Sequence, residues 1–348
     1  MANVSLLSTA TAVPPYTLSQ EEIARAACEV FAPQMPDFAP LAAVFHTAGI
    51  TKRHVTRPLQ WFLEPRGWAE RNAAYLDMAC DLFVEAAGTA LARAGIAPQD
   101  VGTVVTVSST GIATPTLEAR VAGRLGLRPD VERVPLFGLG CAGGTSGLSV
   151  AARLAGSRPG EVVLMVTVEL CSLAFRLDKL TKENIVATAL FGDGAAACVL
   201  AADRDGLAVI EASGQHTWPD TLDIMGWKVE TEGFGVIFDR SIPPFAEENA
   251  AAAIGTILAR GGLALTDIDR FICHPGGAKV VTALEASLGL APGSLDAERD
   301  VLAGYGNMSA PTVFFVLERI LARGLPPRAA LTSMGPGFSA SCVALRAA

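Results

Sequence analysis

Apolar and polar positions alternate along the chain in blocks that predict the strands and helices of an α/β protein. The strand-like blocks are short, apolar and rich in small or β-branched residues, which is typical of strands buried on both faces. In the first half of the chain they cover residues 3–13, 101–110, 160–170, 190–200 and 207–215. Amphipathic blocks between them start at a capping residue or end at a glycine, and so predict helices. These helices cover residues 17–31, 69–94, 114–126 and 143–156.

The second half shows the same alternation. Its predicted elements are a helix over 245–260, a strand over 270–274, a helix over 278–289, an amphipathic segment over 309–324 and two closing strands around the turn 335–337. Residues 214–234 are polar, glycine-containing and aromatic, which marks a domain boundary. We therefore predict two similar halves, 1–213 and 214–348. Residues 45–71 lack periodicity and follow three prolines, so we expect an irregular connection there.

Composition narrows the class of protein. The formal charge of −8 comes without a basic block, which argues against an extended nucleic-acid surface but not against a pocket for an anionic cofactor. Seven cysteines without a CxxC pair suit a reducing compartment and give no metal-binding signature. The N-terminus lacks the features of a signal peptide, and no apolar run reaches the roughly 20 residues of a membrane span. We expect a cytoplasmic protein without a membrane span.

One cysteine occupies a position that favours nucleophilic chemistry. In the stretch Val134–Gly156, an apolar strand meets a glycine turn, Cys141 follows, and a glycine-rich helix begins. Free N–H groups and the positive end of a helix dipole favour a thiolate at such a position. The neighbouring glycines would let backbone N–H groups approach an acyl oxygen. Cys141 is therefore the candidate nucleophile, and the alternative is a buried structural cysteine.

His274 and Asn307 complete a set of groups suited to thioester chemistry. His274 ends an apolar strand before a Pro-Gly-Gly turn, where the crevice of a parallel sheet lies, and Asn307 stands between a glycine and a helix start. A structural histidine and a capping asparagine are the alternatives. Together, the cysteine would carry an acyl group, while the imidazole and the amide would donate hydrogen bonds to a thioester oxygen.

The stretches GLGCAGGTSGL, LFGDGAAA, CHPGGAKVV and GYGNMSAPTVFFVLE, with the terminal GPG, resemble type III polyketide synthases, the chalcone synthase-like branch of the thiolase fold. The resemblance spans nearly the whole chain. It implies an αβαβα layered fold, a homodimer, and coenzyme A thioesters as substrates, with no tightly bound cofactor. It also implies that Cys141 carries the acyl group and that His274 and Asn307 assist malonyl decarboxylation.

The resemblance implies further site residues as well. Phe191 and Phe238 match gatekeeping phenylalanines, and the loop at Thr114 is expected to reach the neighbouring subunit's cavity. The remaining substrate-binding predictions are Glu169, Cys171, Ala174 and Ser309. Lys52, Arg53, Gly276 and Gly277 are predicted to hold coenzyme A, although Thr47 stands where the family often has lysine.

The small Ala174 replaces a threonine that is usual in plant members, so we expect room for an aliphatic starter, including long chains. The predicted function is iterative condensation of malonyl-CoA onto such a starter, followed by cyclisation to an alkylpyrone or alkylresorcinol. Three alternatives stay open at this point: a ketoacyl synthase making a single extension, a cysteine hydrolase acting on thioesters, and a catalytically silent binding protein of the thiolase fold. Delivery of the starter by an acyl carrier protein is also left open.

Overall fold

The computed structural model describes residues 3–348 and arranges most of its strands in one large sheet. The strands are β1 (Val4–Ala12), β2 (Tyr16–Ser19), β3 (Lys52–Val55), β4 (Val101–Val107), β5 (Glu132–Leu136), β6 (Val162–Leu170), β7 (Asp193–Ala202), β8 (Ala208–Thr217), β9 (Met225–Glu230), β10 (Gly233–Phe238), β11 (Arg270–Cys273), β12 (Arg328–Gly335) and β13 (Ser339–Ala347). The helices are α1 (Gln20–Phe31), α2 (Phe38–Thr47), α3 (Leu59–Phe62), α4 (Trp68–Ala94), α5 (Leu117–Leu125), α6 (Gly143–Ser157), α7 (Lys182–Leu190), α8 (Ile242–Ala259), α9 (Ala278–Ser287), α10 (Asp296–Tyr305) and α11 (Thr312–Arg323).

The sheet has nine strands in the order β11-β12-β13-β8-β1-β7-β6-β4-β5. Pairing is parallel between β4 and its neighbours β5 and β6 and between β11 and β12, and antiparallel elsewhere. Strands β1 and β8 join the two halves through a short antiparallel contact at residues 5–6 and 208–209. Each half of the sheet therefore brings the carboxyl ends of its parallel strands to an edge where side chains can meet.

Helices form three layers around the two halves of the sheet. Helix α4 packs with α5 against β1, β6 and β7, whereas α8 packs with α9 against β8 and β13. Helices α6 and α11 lie between the halves, because each contacts strands of both. The hydrophobic core divides accordingly into three main clusters. This arrangement confirms the predicted αβαβα layering.

The central layer depends on small residues. Most of α6 is buried, and its first turn lies so close to the segment before α11 that a Cβ on Gly144 would sit 2.2 Å from the carbonyl oxygen of Ala310. A side chain at that position has no room without a backbone shift. The glycines after Cys141 thus let the helix that follows Cys141 approach the segment that carries Asn307.

Several predicted boundaries differ from the structure. Residues 45–71, predicted as irregular, contain the end of α2, strand β3 and helix α3, whose periodicity is hidden because the elements are short. Helix α10 was not predicted, and α8 begins earlier than expected because its two prolines occupy the first helical turn. The predicted boundary between residues 213 and 214 falls within β8, and the division into two domains stays a prediction. Within residues 3–348, no helix is both long and apolar enough to cross a membrane.

Substituting Gly144→Ala is expected to lower the free energy of unfolding by about 1–3 kcal/mol, because the added methyl group overpacks α6 against Ala310. The midpoint of urea unfolding measures the change. Gly88→Ala is the matched control, since a Cβ on this glycine of α4 meets no atom within 4 Å. That control is expected to raise stability by about 0.4–1 kcal/mol. Equal midpoints for Gly144→Ala and the wild type would contradict the close packing of α6.

Candidate active site

Cys141 lies in a 3₁₀ turn, Gly140–Ala142, which leads directly into α6. Its side chain is buried. Gly140 adopts a left-handed φ of +46°, and a Cβ there would meet Cδ of Pro336 at 2.7 Å. The turn 335–337 therefore packs directly against the turn that carries Cys141.

Burial controls the ionisation of Cys141. It raises the pKa of the thiol to about 11, whereas hydrogen bonding to Ser309 lowers it and the nearby charge of Glu169 raises it further. Burial therefore opposes the stabilisation of the thiolate that the sequence analysis expects from the helix N-terminus. A group that accepts the thiol proton is consequently needed to generate the nucleophile near pH 7.

His274 is a candidate for that group, since it lines the same cavity as Cys141. It follows β11, and its backbone N–H donates to the carbonyl oxygen of Thr332 at 2.8 Å, so the parallel pairing with β12 continues to this residue. The side chain is buried, and neither Nδ1 nor Nε2 has a hydrogen-bond partner within residues 3–348. Burial lowers the pKa of His274 to about 4, so the ring is neutral at pH 7. A neutral imidazole with both nitrogens free can accept one proton and donate another.

Hydrogen bonds to two backbone groups hold the side chain of Asn307. Its Nδ2 donates to the carbonyl oxygen of Gly276 at 3.1 Å, and its Oδ1 accepts the backbone N–H of Ser309 at 2.8 Å. Ser309 has a left-handed φ of +58°, which bends the chain back towards the amide. The same Oδ1 lies 4.0 Å from Sγ of Cys141. One hydrogen of the amide nitrogen is left for a substrate oxygen.

Two adjoining cavities surround Cys141. The first, the nucleophile cavity, contains all three predicted catalytic side chains; it is lined by Cys141, His274 and Asn307 together with Met225, Phe238, Ile242, Gly276, Val280, Leu284, Thr332, Ser333, Met334 and Phe338. The second, the gate cavity, is lined by Gly140, Cys141, Cys171, Phe191, Met225, Gly226, Trp227, Val236, Ile237, Phe238, Ser309 and Pro336. The rings of Phe191 and Phe238 meet edge to face at 6.5 Å between centroids. Both predicted gatekeepers therefore lie beside the nucleophile.

A third, apolar cavity begins where the gate cavity ends. This apolar chamber is lined by Leu18, Ile23, Ala26, Ala27, Arg53, Val55, Leu59, Phe62, Leu63, Cys171, Ser172, Phe175, Ala187, Thr188 and Phe191. Cys171 and Phe191 line both the chamber and the gate cavity. An apolar lining with a few polar groups is typical of sites that bind small organic ligands.

Other predicted substrate-binding residues lie elsewhere. The Glu169 carboxylate is fully buried and accepts the N–H of Ser109 at 3.0 Å and the hydroxyl of Thr110 at 2.8 Å; burial raises its pKa to about 8. Ala174 is buried and does not line the three cavities described above. Thr114 is exposed on the loop before α5.

The residues predicted to hold coenzyme A divide into two groups. Lys52 is exposed, and Gly276 lines the nucleophile cavity next to Gly277 at the start of α9. Arg53, however, is 1% exposed and donates to the carbonyl oxygens of Thr188, Ala189 and Phe191 at the end of α7. Its guanidinium is therefore committed to the protein backbone, which corrects the prediction that it binds coenzyme A phosphates.

Sequence reasoning missed the contribution of the β9–β10 hairpin. Met225 and Trp227 lie on β9, inside the stretch interpreted as a domain boundary, yet Met225 lines both cavities at Cys141 and Trp227 lines the gate cavity. The alternation of apolar and polar residues in this hairpin is short and interrupted by glycine. Only the pairing of Phe238 with Met225 across the hairpin brings these side chains to the site.

Comparison with known proteins agrees with this geometry. The chain matches the family models described as the N-terminal and C-terminal domains of chalcone and stilbene synthases, over residues 67–204 and 209–346 respectively. It is 38% identical to 1,3,6,8-tetrahydroxynaphthalene synthase of Streptomyces peucetius subsp. caesius, over 98% of this chain and 93% of that protein. It is 34% identical to a putative chalcone synthase of Bacillus subtilis (strain 168), over 96% of each chain.

Solved structures show the same similarity. The structure of 1,3,6,8-tetrahydroxynaphthalene synthase from Streptomyces coelicolor A3(2), a bacterial type III polyketide synthase, superposes with a TM-score of 0.93. The two sequences are 26% identical, and the match covers 99% of each chain.

Substituting His274→Gln is expected to slow alkylation of Cys141 by iodoacetamide by about tenfold or more at pH 7, since the proton acceptor is lost. The thiolate fraction of an unassisted thiol rises about tenfold per pH unit below its pKa, so the variant's rate should climb with pH towards about 11 and approach that of the wild type. Mass analysis of the Cys141 peptide measures both rates. His46→Gln, at an exposed histidine, is the control; identical pH profiles for His274→Gln and the wild type would contradict the role of the imidazole.

Proposed function

Because the chain belongs to the chalcone and stilbene synthase family of type III polyketide synthases, we propose that it condenses malonyl-CoA repeatedly onto an aliphatic acyl-CoA starter and releases an alkylpyrone or alkylresorcinol. Enzymes of this family are decarboxylating condensing acyltransferases that use coenzyme A thioesters. The observation that carries the proposal for the reaction is the meeting of Cys141, His274 and Asn307 in one cavity.

The first step transfers the starter. His274 accepts the proton of the Cys141 thiol, and the sulfur attacks the thioester carbonyl of the starter. A new bond from the carbonyl carbon to Sγ forms as the bond to the coenzyme A sulfur breaks, and the departing thiolate takes up a proton. The free N–H of Asn307 and the N–H of His274 donate to the carbonyl oxygen, where negative charge develops.

The second step extends the chain. The malonyl thioester loses carbon dioxide, and the electron pair of the broken carbon–carbon bond passes into an enolate. The same two donors stabilise the enolate oxygen, for which a single donor is typically worth about 3–4 kcal/mol of barrier. The enolate carbon then attacks the acyl group on Cys141, a carbon–carbon bond forms, and the cysteine sulfur leaves. Repetition followed by ring closure gives the product.

The apolar chamber supports an aliphatic starter. Apart from Arg53, Ser172 and Thr188, its lining side chains are apolar, and it adjoins the gate cavity at Cys171 and Phe191. Burying an acyl chain there would remove apolar surface from water, at about 25 cal/mol for each Å². A short or polar starter would leave this space without a matching group.

Synthesis of 1,3,6,8-tetrahydroxynaphthalene is a second candidate, since the relative that is 38% identical bears that product in its name. A homodimer and a cytoplasmic location are parts of the proposal. Delivery of the starter by an acyl carrier protein is the alternative to delivery on coenzyme A. A single-extension ketoacyl synthase and a thioester hydrolase are the competing activities.

The test of the activity is incubation of the purified protein with carbon-14 malonyl-CoA, alone and with acyl-CoA starters from acetyl to long-chain, and identification of the products by mass. We expect cyclised products that contain one aliphatic starter and several malonyl units, and none from Cys141→Ala. A product formed from malonyl-CoA alone would favour the synthesis of 1,3,6,8-tetrahydroxynaphthalene. A single extension would favour the ketoacyl synthase, and hydrolysis without release of carbon dioxide would favour the hydrolase.

The starter preference has a separate test. Ala27 lines the apolar chamber from α1 and is 3% exposed, so Ala27→Leu should fill part of the chamber and shift the products towards shorter starters. Ala24→Leu is the matched control, because Ala24 lies on the same helix but does not line the chamber. We expect this control to leave the product spectrum unchanged. A product spectrum of Ala27→Leu equal to that of the wild type would show that the chamber does not receive the starter.

A further inference from the structure

We propose that Asp193 and Arg53 are positioning residues that hold the two walls of the passage between the gate cavity and the apolar chamber, and thereby govern which starters reach Cys141. Cys171 and Phe191 line both cavities and so form the boundary between them, and the proposed passage crosses this boundary. The effect on starter selection rests on the proposed function, whereas the hydrogen bonds that hold the two walls do not depend on it.

Arg53 holds the wall formed by Phe191. Its guanidinium donates to the carbonyl oxygen of Phe191 at 2.9 Å, and to those of Thr188 and Ala189 at 2.8 and 2.7 Å. These carbonyls belong to the last turn of α7 and the residue after it, where the helix dipole favours a positive charge. Arg53 therefore fixes the backbone from which the Phe191 ring projects.

Asp193 holds the opposite wall. One carboxylate oxygen accepts the N–H of Ser172 at 2.7 Å, and the other accepts the N–H and the hydroxyl of Thr56, both at 2.7 Å. The Ser172 hydroxyl also donates to this carboxylate. Asp193 thus ties the turn that carries Cys171 to the residue following β3, the strand on which Arg53 lies.

The two groups act as one buried unit. Asp193 is 0% exposed and Arg53 is 1% exposed. Burial lowers the pKa of Arg53 to about 9, and the charge of Asp193 opposes that shift, so the two charges lie close enough to interact. Most hydrogen bonds of each group go to one wall of the passage, and Arg53 donates in addition to the side chain of Gln20 on α1. Because an unmet buried donor or charge is costly, disturbing either residue should loosen its wall.

Asp193→Asn tests the carboxylate without changing its size. An amide offers one acceptor oxygen and two N–H donors to a site that presents four donors, so some of the bonds to Thr56 and Ser172 must be lost. Arg53→Met removes the guanidinium and keeps much of the apolar stem. Ser172→Ala is a milder variant that removes one donor, and it serves if either of the other two fails to fold.

The readout is the rate at which methyl methanethiosulfonate labels Cys171 in a Cys141→Ala background, followed by peptide mass. Asp193→Asn and Arg53→Met are both expected to raise the rate by about tenfold or more, because each opens the passage to the reagent. Their electrostatic effects on the thiol have opposite signs, since one variant removes a negative charge and the other a positive charge. An increase in both therefore reports access rather than thiol ionisation.

Cys342, fully buried in β13, is the internal reference, and Glu318→Gln is the control variant because Glu318 pairs with Arg93 away from the passage. Opposite changes in the two test variants, no change in either, or equal acceleration at Cys342 would overturn the proposal.

A second measurement separates this inference from the proposed function. With Cys141 intact, Asp193→Asn should change the ratio of kcat/KM for decanoyl-CoA to that for acetyl-CoA by about tenfold. If the wild type accepts no starter longer than acetyl, the aliphatic starter is wrong, and the labelling of Cys171 still decides whether Asp193 and Arg53 hold the passage.

Discussion

Burial of α6 between the two halves of the sheet is the constraint on which the site depends. The helix can occupy this layer only because its first turn is built from glycines, as the 2.2 Å approach of a Gly144 Cβ to Ala310 shows. Since α6 begins just after Cys141, the same packing brings the nucleophile to the segment that carries Asn307, and the end of β11 supplies His274 from the other half of the sheet. The site is therefore a product of the layer contacts rather than of one loop.

The same burial determines the electrostatics of the site. It raises the pKa of Cys141 and lowers that of His274, so each group alone is held uncharged. Burial also raises the pKa of Glu169, although hydrogen bonds from Ser109 and Thr110 oppose this. Charge can appear only when a proton passes from the thiol to the imidazole or when a substrate oxygen becomes negative beside the donors. The buried site therefore favours electrostatic interactions that are stronger in the transition state than with the bound substrate.

The apolar pattern predicted most of the strands and helices and singled out the three central side chains, whereas the resemblance to type III polyketide synthases implied the layering. Long apolar strands and glycine-marked helix starts are local signals, and Cys141, His274 and Asn307 each stand at one of them. The elements between 45 and 71 and the β9–β10 hairpin were missed because they are short and their contacts are distant in the chain. No local pattern indicated that Met225 would lie beside Cys141, since this depends on how the hairpin folds over the site.

Arg53 shows most clearly which features the sequence pattern could not predict. Next to Lys52 in the sequence, it has the character of a surface cation suited to a phosphate, and its position on β3 gives no sign of burial. Its partners are the side chain of Gln20 and the carbonyl groups of residues 188, 189 and 191. The carbonyl groups lie more than a hundred positions away, so only the tertiary structure reveals them. Because these carbonyls end the helix that leads to Phe191, the basic residue contributes to the shape of the cavity instead of contacting coenzyme A. Sequence patterns reveal the chemistry at Cys141 more readily than the buried charges that determine which substrates reach it.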